Sequence, residues 1–214
     1  MTIEIRPATA ADAPFLAWVM QAAARSHLSV GIWDLGFPGE DAQRLEILAK
    51  LATTEQIHFA HFSRFQILEV DGVPASGLSA YENSQHGVAQ LTLGLVEVLS
   101  GLEWSQPEME AMGERIGSFA ATGYPNPDGL WIIEWVATKS EFRGRALIHQ
   151  LLVEILEQGR KQGFTRSQIG YLLGNLPAKG AYEGVGFKWV DEHRHSSFEA
   201  DYGSPGIARM QRDL

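Results

Sequence analysis

The sequence has no cysteine, few basic residues and no long apolar run, and each absence excludes a class of protein. Without cysteine, the 214 residues can form neither disulfides nor thiolate zinc sites. Lys and Arg number 17 against 26 Asp and Glu, and nucleic acids and anionic membranes both require clustered cations. No stretch reaches the roughly 18 uncharged apolar residues of a membrane span. We therefore expect no nucleic-acid partner and no membrane partner.

The first twenty residues contain Glu4 and Asp12 and lack a basic segment followed by an apolar one. They do not resemble a signal peptide, so we expect a cytoplasmic protein. Hydrophobic residues make up 45% of the chain, which is enough for a substantial core. The length suits one domain over residues 1–214, with room for an insertion.

Hydrophobic periodicity predicts a mixed α/β layer, with helices covering the faces of a sheet. Strands are predicted at 3–7, 65–70, 74–81, 130–138, 167–173, 187–193 and 207–213. Helices are predicted at 12–26, at 41–51, from 148 to 161, and from Pro177 onward. The stretch 84–128 lacks strand character and is predicted to be a helical insertion between two strands.

One motif, VATKSEFRGRALIHQLL at 136–152, takes a strand through a basic turn into a helix. The free N–H groups of a helix start, with the helix dipole behind them, can bind phosphate. Arg143 and Arg145 add positive charge there, in a chain that is otherwise acidic. The alternative is a surface turn with two solvated arginines.

A second motif, NLPAKGAYEGVGF at 175–187, places a tyrosine in the last turn of a short helix. By itself, Tyr182 can be an amphipathic core residue with its hydroxyl bonded to backbone. Asn175, two residues before Pro177, can be a simple helix cap.

Together the two motifs resemble the GNAT superfamily of acyl-CoA-dependent N-acetyltransferases. The family's later element, N-x-x-A-x-x-x-Y-x-x-x-G-F, is matched at all its fixed positions, which are Asn175, Ala178, Tyr182, Gly186 and Phe187. The family's cofactor loop, V-x-P-x-x-R/Q-x-x-G-x-G/A, is matched at Arg143 but departs at four positions, which are Thr138, Ser140, Ala146 and Ile148. We expect Ala146 to have negative φ at a helix start, and the Ile148 side chain to face the core and leave its N–H free.

The resemblance implies a central mixed, mostly antiparallel sheet flanked by helices, with the insertion before the cofactor-binding strand. It implies transfer of an acetyl group from acetyl-CoA, as cosubstrate, to an amine of a small molecule or protein, without a metal. A homodimer stays open. The implied cofactor-binding residues are Val136, Ala137, Thr138, Arg143, Gly144, Arg145, Ala146, Leu147, Ile148 and Asn175.

The resemblance also implies two proton carriers around a tetrahedral intermediate, whose oxyanion would meet a backbone N–H near Val136. Glu134 would deprotonate the amine, although a strand glutamate can also simply face solvent. Tyr182 would return a proton, or donate a hydrogen bond, to the departing sulfur. The runner-up function is a non-catalytic acyl-CoA sensor of the same fold, which the altered cofactor loop favours.

Other residues support weaker hypotheses. His58 and His61, or His193 and His195, suggest a metal but lack a third ligand at matching spacing; the second pair could line an acceptor site. Trp131 and Trp135 are expected to pack in the sheet. Two segments mix carboxylates with aromatics, which suits a cationic acceptor or merely solvates two loops. Their residues are Trp33, Asp34, Phe37, Glu40 and Asp41, and Phe198, Glu199, Asp201 and Tyr202.

Overall fold

A seven-stranded sheet runs through the molecule, and the computed structural model describes it over residues 1–214. Its strands are β1 (Ile3–Pro7), β2 (Phe65–Val70), β3 (Val73–Tyr81), β4 (Trp131–Thr138), β5 (Arg166–Leu172), β6 (Lys188–Arg194) and β7 (Gly206–Asp213). Their order is β1-β2-β3-β4-β5-β7-β6, and every neighbouring pair is antiparallel except β4 and β5. The predicted mixed, mostly antiparallel sheet is confirmed.

Ten helices surround the sheet, and none combines the length and the apolar character needed to cross a membrane. They are α1 (Ala13–Arg25), α2 (Ile32–Gly36), α3 (Asp41–Leu51), α4 (Asn83–His86), α5 (Val88–Gly101), α6 (Gln106–Arg115), α7 (Gly117–Ala121), α8 (Leu147–Lys161), α9 (Leu176–Gly184) and α10 (Ser196–Tyr202). The sequence did not predict α2 and α10. Both are under eight residues long, too short for a hydrophobic stripe to stand out from a loop.

Two hydrophobic cores lie on opposite faces of the sheet. The α8 core takes the predicted stripe of α8, in which Leu151, Leu152 and Ile155 are buried against Leu68 of β2 and Leu78 of β3. The α1 core packs helices α1, α3 and α5 against the other face. Side chains of β4 from Trp131 to Glu134 alternate between the two faces, because successive residues of a regular strand point in opposite directions.

The insertion between β3 and β4 contains α4 to α7 and shares the α1 core. Its Trp104 packs edge-on against Phe37, with ring centroids 5.9 Å apart. Arg115 donates hydrogen bonds to the carbonyls of Leu35 and Gly36, at 2.9 and 2.8 Å. The insertion is therefore held against α2 and the first helices.

Candidate active site

An open wedge between β4 and β5 is the central feature of the candidate site. The parallel ladder between these strands ends at the pair Ile133–Ile169, although β4 continues to Thr138 and β5 to Leu172. Beyond that pair, β4 bonds only to β3, and β5 only to β7. The two strand edges then face each other without partners, so an extended ligand can add to one of them as a further strand.

A β-bulge marks the start of the wedge on β4. Ser79 pairs with Glu134 and Gly77 with Ala137, so Leu78 alone faces both Trp135 and Val136. Bulges of this kind re-aim side chains next to functional sites. The bulge places Trp135 at φ +53°, which costs a non-glycine residue about 1–3 kcal/mol.

Packing holds the strained tryptophan in place. The Trp135 ring lies 5.5 Å from that of Trp33 and 5.9 Å from that of Phe59, measured between centroids. Trp131 is also a packing residue, because its Nε1 donates to the Ile155 carbonyl at 2.9 Å and its ring is buried. The prediction that both tryptophans pack in the sheet agrees with these contacts.

A loop with unpaired backbone donors joins β4 to α8. The N–H groups of residues 144–149 have no hydrogen-bond partner in the protein, and they run into the first turn of the 15-residue helix α8. Consecutive free N–H groups at a helix start form a concave site for anions. The loop therefore has the donors that the sequence predicted for a phosphate.

The backbone of this loop departs from the expectation for Ala146. Its φ is +56°, left-handed, and Gly144 before it has φ +75°. The expected negative φ is wrong because Ala146 precedes the helix as its N-cap, where the chain reverses after the 3-10 turn at 140–142. Ile148 behaves as expected, since its side chain packs against the α8 core while its N–H stays free.

Two arginines lie exposed on the loop. The Arg143 Nε donates to the Thr138 carbonyl at 3.1 Å. The Arg145 guanidinium lies over the Phe142 ring, 5.5 Å from its centroid. Each side chain keeps further N–H donors free, so both can still contact an anion held by the loop.

Asn175 lies on the β5 side of the wedge and caps α9, which is one of the roles that the sequence allowed for it. Its Oδ1 accepts from the Ala178 N–H at 3.0 Å, and its Nδ2 donates to the Ser26 Oγ at 2.6 Å. The second bond links α9 to the end of α1. An amide nitrogen has two hydrogens, so one donor of Asn175 is left for a ligand.

Glu134 is the first residue of β4 past the end of the parallel ladder. Its carboxyl has no ion pair and no hydrogen bond, and burial raises its pKa to about 7. Part of the residue's surface remains accessible, but the protein atoms packed around the carboxyl are what disfavour its charge. It is therefore not a solvent-facing strand glutamate.

Tyr182 places its ring in the α8 core and leaves its hydroxyl free. The ring is 6% exposed and lies between Tyr171 and Phe187, with centroids 6.5 and 6.4 Å away. The hydroxyl makes no hydrogen bond within the protein. Burial, together with the nearby charge of Glu134, raises the pKa of Tyr182 above its ordinary value. The two candidate proton carriers are thus within electrostatic reach of each other.

Two further tyrosines approach Glu134 and were not found from the sequence. Tyr81, at the end of β3, and Tyr124, from the insertion, both have their pKa raised by burial and then by Glu134. Tyr124 lies 7 residues before β4, in the Pro and Gly cluster 123–129. That position next to the cofactor-binding strand was the only signal in the sequence.

The two segments proposed for a cationic acceptor are organised differently from the expectation. Their aromatic residues are buried in the interior. These are Trp33, Phe37, Phe198 and Tyr202. Asp34 pairs with Arg25 at 2.6 Å and Arg44 at 3.1 Å, and Asp41 pairs with the same two arginines at 2.6 and 2.9 Å. Asp34 and Asp41 are therefore paired with two arginines, and neither carboxylate is left unpaired for a cationic acceptor. Glu40, Glu199 and Asp201 remain exposed.

The histidines form local structural contacts. The Nδ1 of His58 accepts from the Ala60 N–H, and that of His61 from the Ser63 N–H. His195 caps α10 in the same way. His193 lies beside Asp191 and packs edge-on against Tyr124 at 6.0 Å. No group of three or more His, Asp or Glu side chains is close enough together to hold a metal ion.

Comparisons with known proteins agree with this geometry. Residues 100–187 match the model of the acetyltransferase (GNAT) family, and this range contains the wedge strands, the loop and α9. A solved acetyltransferase superposes with a TM-score of 0.71 at 18% identity, covering 99% of both chains. An N-acetyltransferase from Staphylococcus aureus Mu50 gives 0.67 at 16%, covering 98% of this chain and 100% of that one. A Drosophila melanogaster polyamine N-acetyltransferase gives 0.59 at 11%, covering 100% of both.

No curated protein sequence matches the chain. The family match and the shared fold confirm the resemblance drawn from the motifs. Residues 100–187 are similar to the acetyltransferase (GNAT) family, and the chain shares the fold of solved N-acetyltransferases, which supports the predicted enzyme class. Enzymes of this family take the acetyl group from acetyl-CoA, which carries a pyrophosphate. This agrees with the free backbone N–H groups in the loop beside the wedge.

Proposed function

We propose that this enzyme transfers the acetyl group of acetyl-CoA to a primary amine by direct attack through a tetrahedral intermediate, with Glu134 as base and Tyr182 as hydrogen-bond donor to the leaving sulfur. The observation that carries the proposal is the unpaired carboxyl of Glu134, with its pKa of about 7, where β4 and β5 part. A base works best when its pKa is near the working pH, because it is then both ionised and able to take a proton.

The residues around the wedge fit acetyl-CoA. The pyrophosphate would contact the free N–H groups of 144–149, with Arg143 and Arg145 beside it. The pantetheine arm would bond the open edge of β4 at 136–138, with the free amide hydrogen of Asn175 on the opposite side. Each of these contacts uses donors or strand edges that lack a protein partner.

The protein's own groups then divide the proton transfers. Glu134 takes the proton of the incoming ammonium group, and a backbone N–H near Val136 stabilises the negative charge that develops on the thioester oxygen. Tyr182 has a raised pKa, so full proton transfer to a thiolate of pKa about 8.5 is strongly uphill. Its free hydroxyl therefore acts by donating a hydrogen bond to the departing sulfur.

The acceptor class is best approached through an amine panel. Structurally similar proteins include an agmatine N-acetyltransferase and a ribosomal-protein-alanine N-acetyltransferase from Brucella melitensis. We therefore propose agmatine, polyamines and peptides with an N-terminal alanine as the first acceptors to test. Release of free thiol from acetyl-CoA is the readout. Monoamines that carry no second charged group are the control.

A sensor that binds acyl-CoA without turnover is the second candidate, favoured by Ala146 and Ile148 in place of the family's small residues. Thermal shifts with CoA and acetyl-CoA test binding for both candidates. Thiol release with at least one amine, lost in Glu134→Gln, supports the enzyme. Binding without release for every amine class would leave only the sensor.

A further inference from the structure

The exit of the insertion, residues 124–129, is fastened to the sheet beside the wedge. The Gln168 Nε2 donates to the Pro125 carbonyl at 2.8 Å and to the Asn126 Oδ1 at 3.0 Å. The Asn126 Nδ2 in turn reaches the Tyr81 hydroxyl at 3.4 Å. These bonds hold Tyr124, the residue before Pro125, close to β5.

The strand register places Tyr124 beside Glu134. Gln168 pairs with Ile132 and Ile169 with Ile133, so Gly170 and Glu134 are the next residues of the two strands, on the face that carries Gln168. The Tyr124 hydroxyl rests on Gly170, since a Cβ built there would lie only 2.6 Å from it. The missing side chain at Gly170 is what lets the hydroxyl reach the sheet.

The Tyr124 hydroxyl is fully enclosed and has no hydrogen-bond partner. Gln168 is near, and its amide bonds to Gln211 through Oε1 and to residues 125 and 126 through Nε2. A buried polar group without a partner is uncommon and calls for an explanation. The carboxyl of Glu134 also lacks a partner, and it is close enough for its charge to raise the pKa of Tyr124.

Other polar groups surround this position. The Tyr81 hydroxyl accepts from Asn126, and Tyr182 approaches from α9 on the far side of the wedge. Arg209, which pairs with Gly170 in the sheet, forms a bidentate ion pair with Asp191, and His193 also contacts Asp191. Tyr124 differs from Tyr81 in that its hydroxyl has no partner in the protein at all.

We propose that Tyr124 is a positioning residue for Glu134: its hydroxyl donates a hydrogen bond, directly or through one water molecule, to the carboxylate once Glu134 has ionised. The insertion thereby supplies part of the reaction centre. The bond stabilises the form of Glu134 that accepts the amine's proton, and it fixes which oxygen faces the acceptor. This inference rests on the proposed role of Glu134 as base.

The test measures the pKa of Glu134 without needing the acceptor. Unfolding free energy is measured from pH 4.5 to 9 for the wild type and Glu134→Gln, and their difference isolates Glu134. The same pair is made in a Tyr124→Phe background. We expect the ionisation constant of Glu134 to fall about threefold to tenfold without the hydroxyl, the usual effect of one lost hydrogen bond.

Two further variants separate a specific bond from a loss of packing. Tyr202→Phe is the matched control, because Tyr202 also has an enclosed, unpartnered hydroxyl, packs on Phe198, and does not interact with Glu134. It should leave the ionisation constant unchanged. Gly170→Ala keeps the tyrosine but displaces its hydroxyl, and it should reproduce the change seen in Tyr124→Phe.

An unchanged ionisation constant in Tyr124→Phe, or an equal change in Tyr202→Phe, would overturn the inference. The proposed function fails separately. The thiol-release rate with an accepted amine should fall at low pH, where the base is protonated. If Glu134→Gln keeps both the rate and this acid limb of the pH profile, then Glu134 is not the base, whatever Tyr124 does. If Glu134→Gln removes the limb and Tyr124→Phe shifts it to higher pH, both proposals stand.

Discussion

Replacing Glu134 by glutamine is expected to stabilise the folded protein at alkaline pH while lowering its activity. Burial moves the carboxyl pKa from 4.5 to about 7, so the folded state holds a proton that the unfolded chain releases between these values. The contribution of Glu134 to stability is therefore full below pH 4.5 and is lost as pH rises through 7. Glutamine has no charge to desolvate and escapes this loss.

The size of the effect follows from the same displacement. Because burial moves the carboxyl pKa from 4.5 to about 7, Glu134→Gln should be more stable than the wild type by at most about 3 kcal/mol above pH 7. At pH 4.5 the difference in unfolding free energy should be nearly zero. For a chain of this length, about 3 kcal/mol raises the melting temperature by roughly 6–12 °C. If Tyr124 donates to the ionised carboxylate as proposed, the difference falls to about 2 kcal/mol.

The assay is urea unfolding of the wild type and Glu134→Gln at pH 5 and pH 8, with melting temperatures as a second readout. Glu46→Gln is the matched control, because Glu46 is exposed on α3 and bonds to nothing. It should change stability equally little at both pH values. A stability difference for Glu134→Gln that is the same at pH 5 and pH 8 would refute the reasoning, since the carboxyl would then not be desolvated.

Three further predictions concern other residues. Tyr182→Phe should lower turnover at least tenfold in thiol-release kinetics with little effect on acetyl-CoA affinity, because the hydroxyl has no partner in the protein; an unchanged rate would make it core filling only. Arg143→Ala with Arg145→Ala should abolish most of the thermal shift given by acetyl-CoA, and a full shift would rule out the loop as the phosphate site. Burial lowers the pKa of His58 from 6.5 to about 4, so its stabilisation, about 3 kcal/mol, is lost as pH falls from 6.5 to 4. The slope of unfolding free energy against pH gives the number of protons taken up on unfolding, and His58→Gln should lower that number by about one between pH 4 and 6.5. An unchanged slope would contradict the assignment.

Local patterns in the sequence determined most of the secondary structure and indicated the family that residues 100–187 match. The Asp71-Gly72 turn predicted the β2–β3 hairpin, and the apolar stripe predicted α8, because both depend on residues close together in the chain. The 175–187 motif likewise carries its information within thirteen residues. Its asparagine is the N-cap of α9, and its tyrosine lies in the last turns of the same helix, as the motif predicted.

Only the tertiary structure decided how the candidate site is charged and what faces it. The pKa of Glu134 depends on burial by groups from several elements, among them Tyr124, which the sequence places in an insertion without strand character. Asp34 appeared free in the sequence, but Arg25 and Arg44 reach it from α1 and α3. Desolvation and ion pairing sum over contacts between distant parts of the chain, and such contacts leave no periodic signal in the sequence.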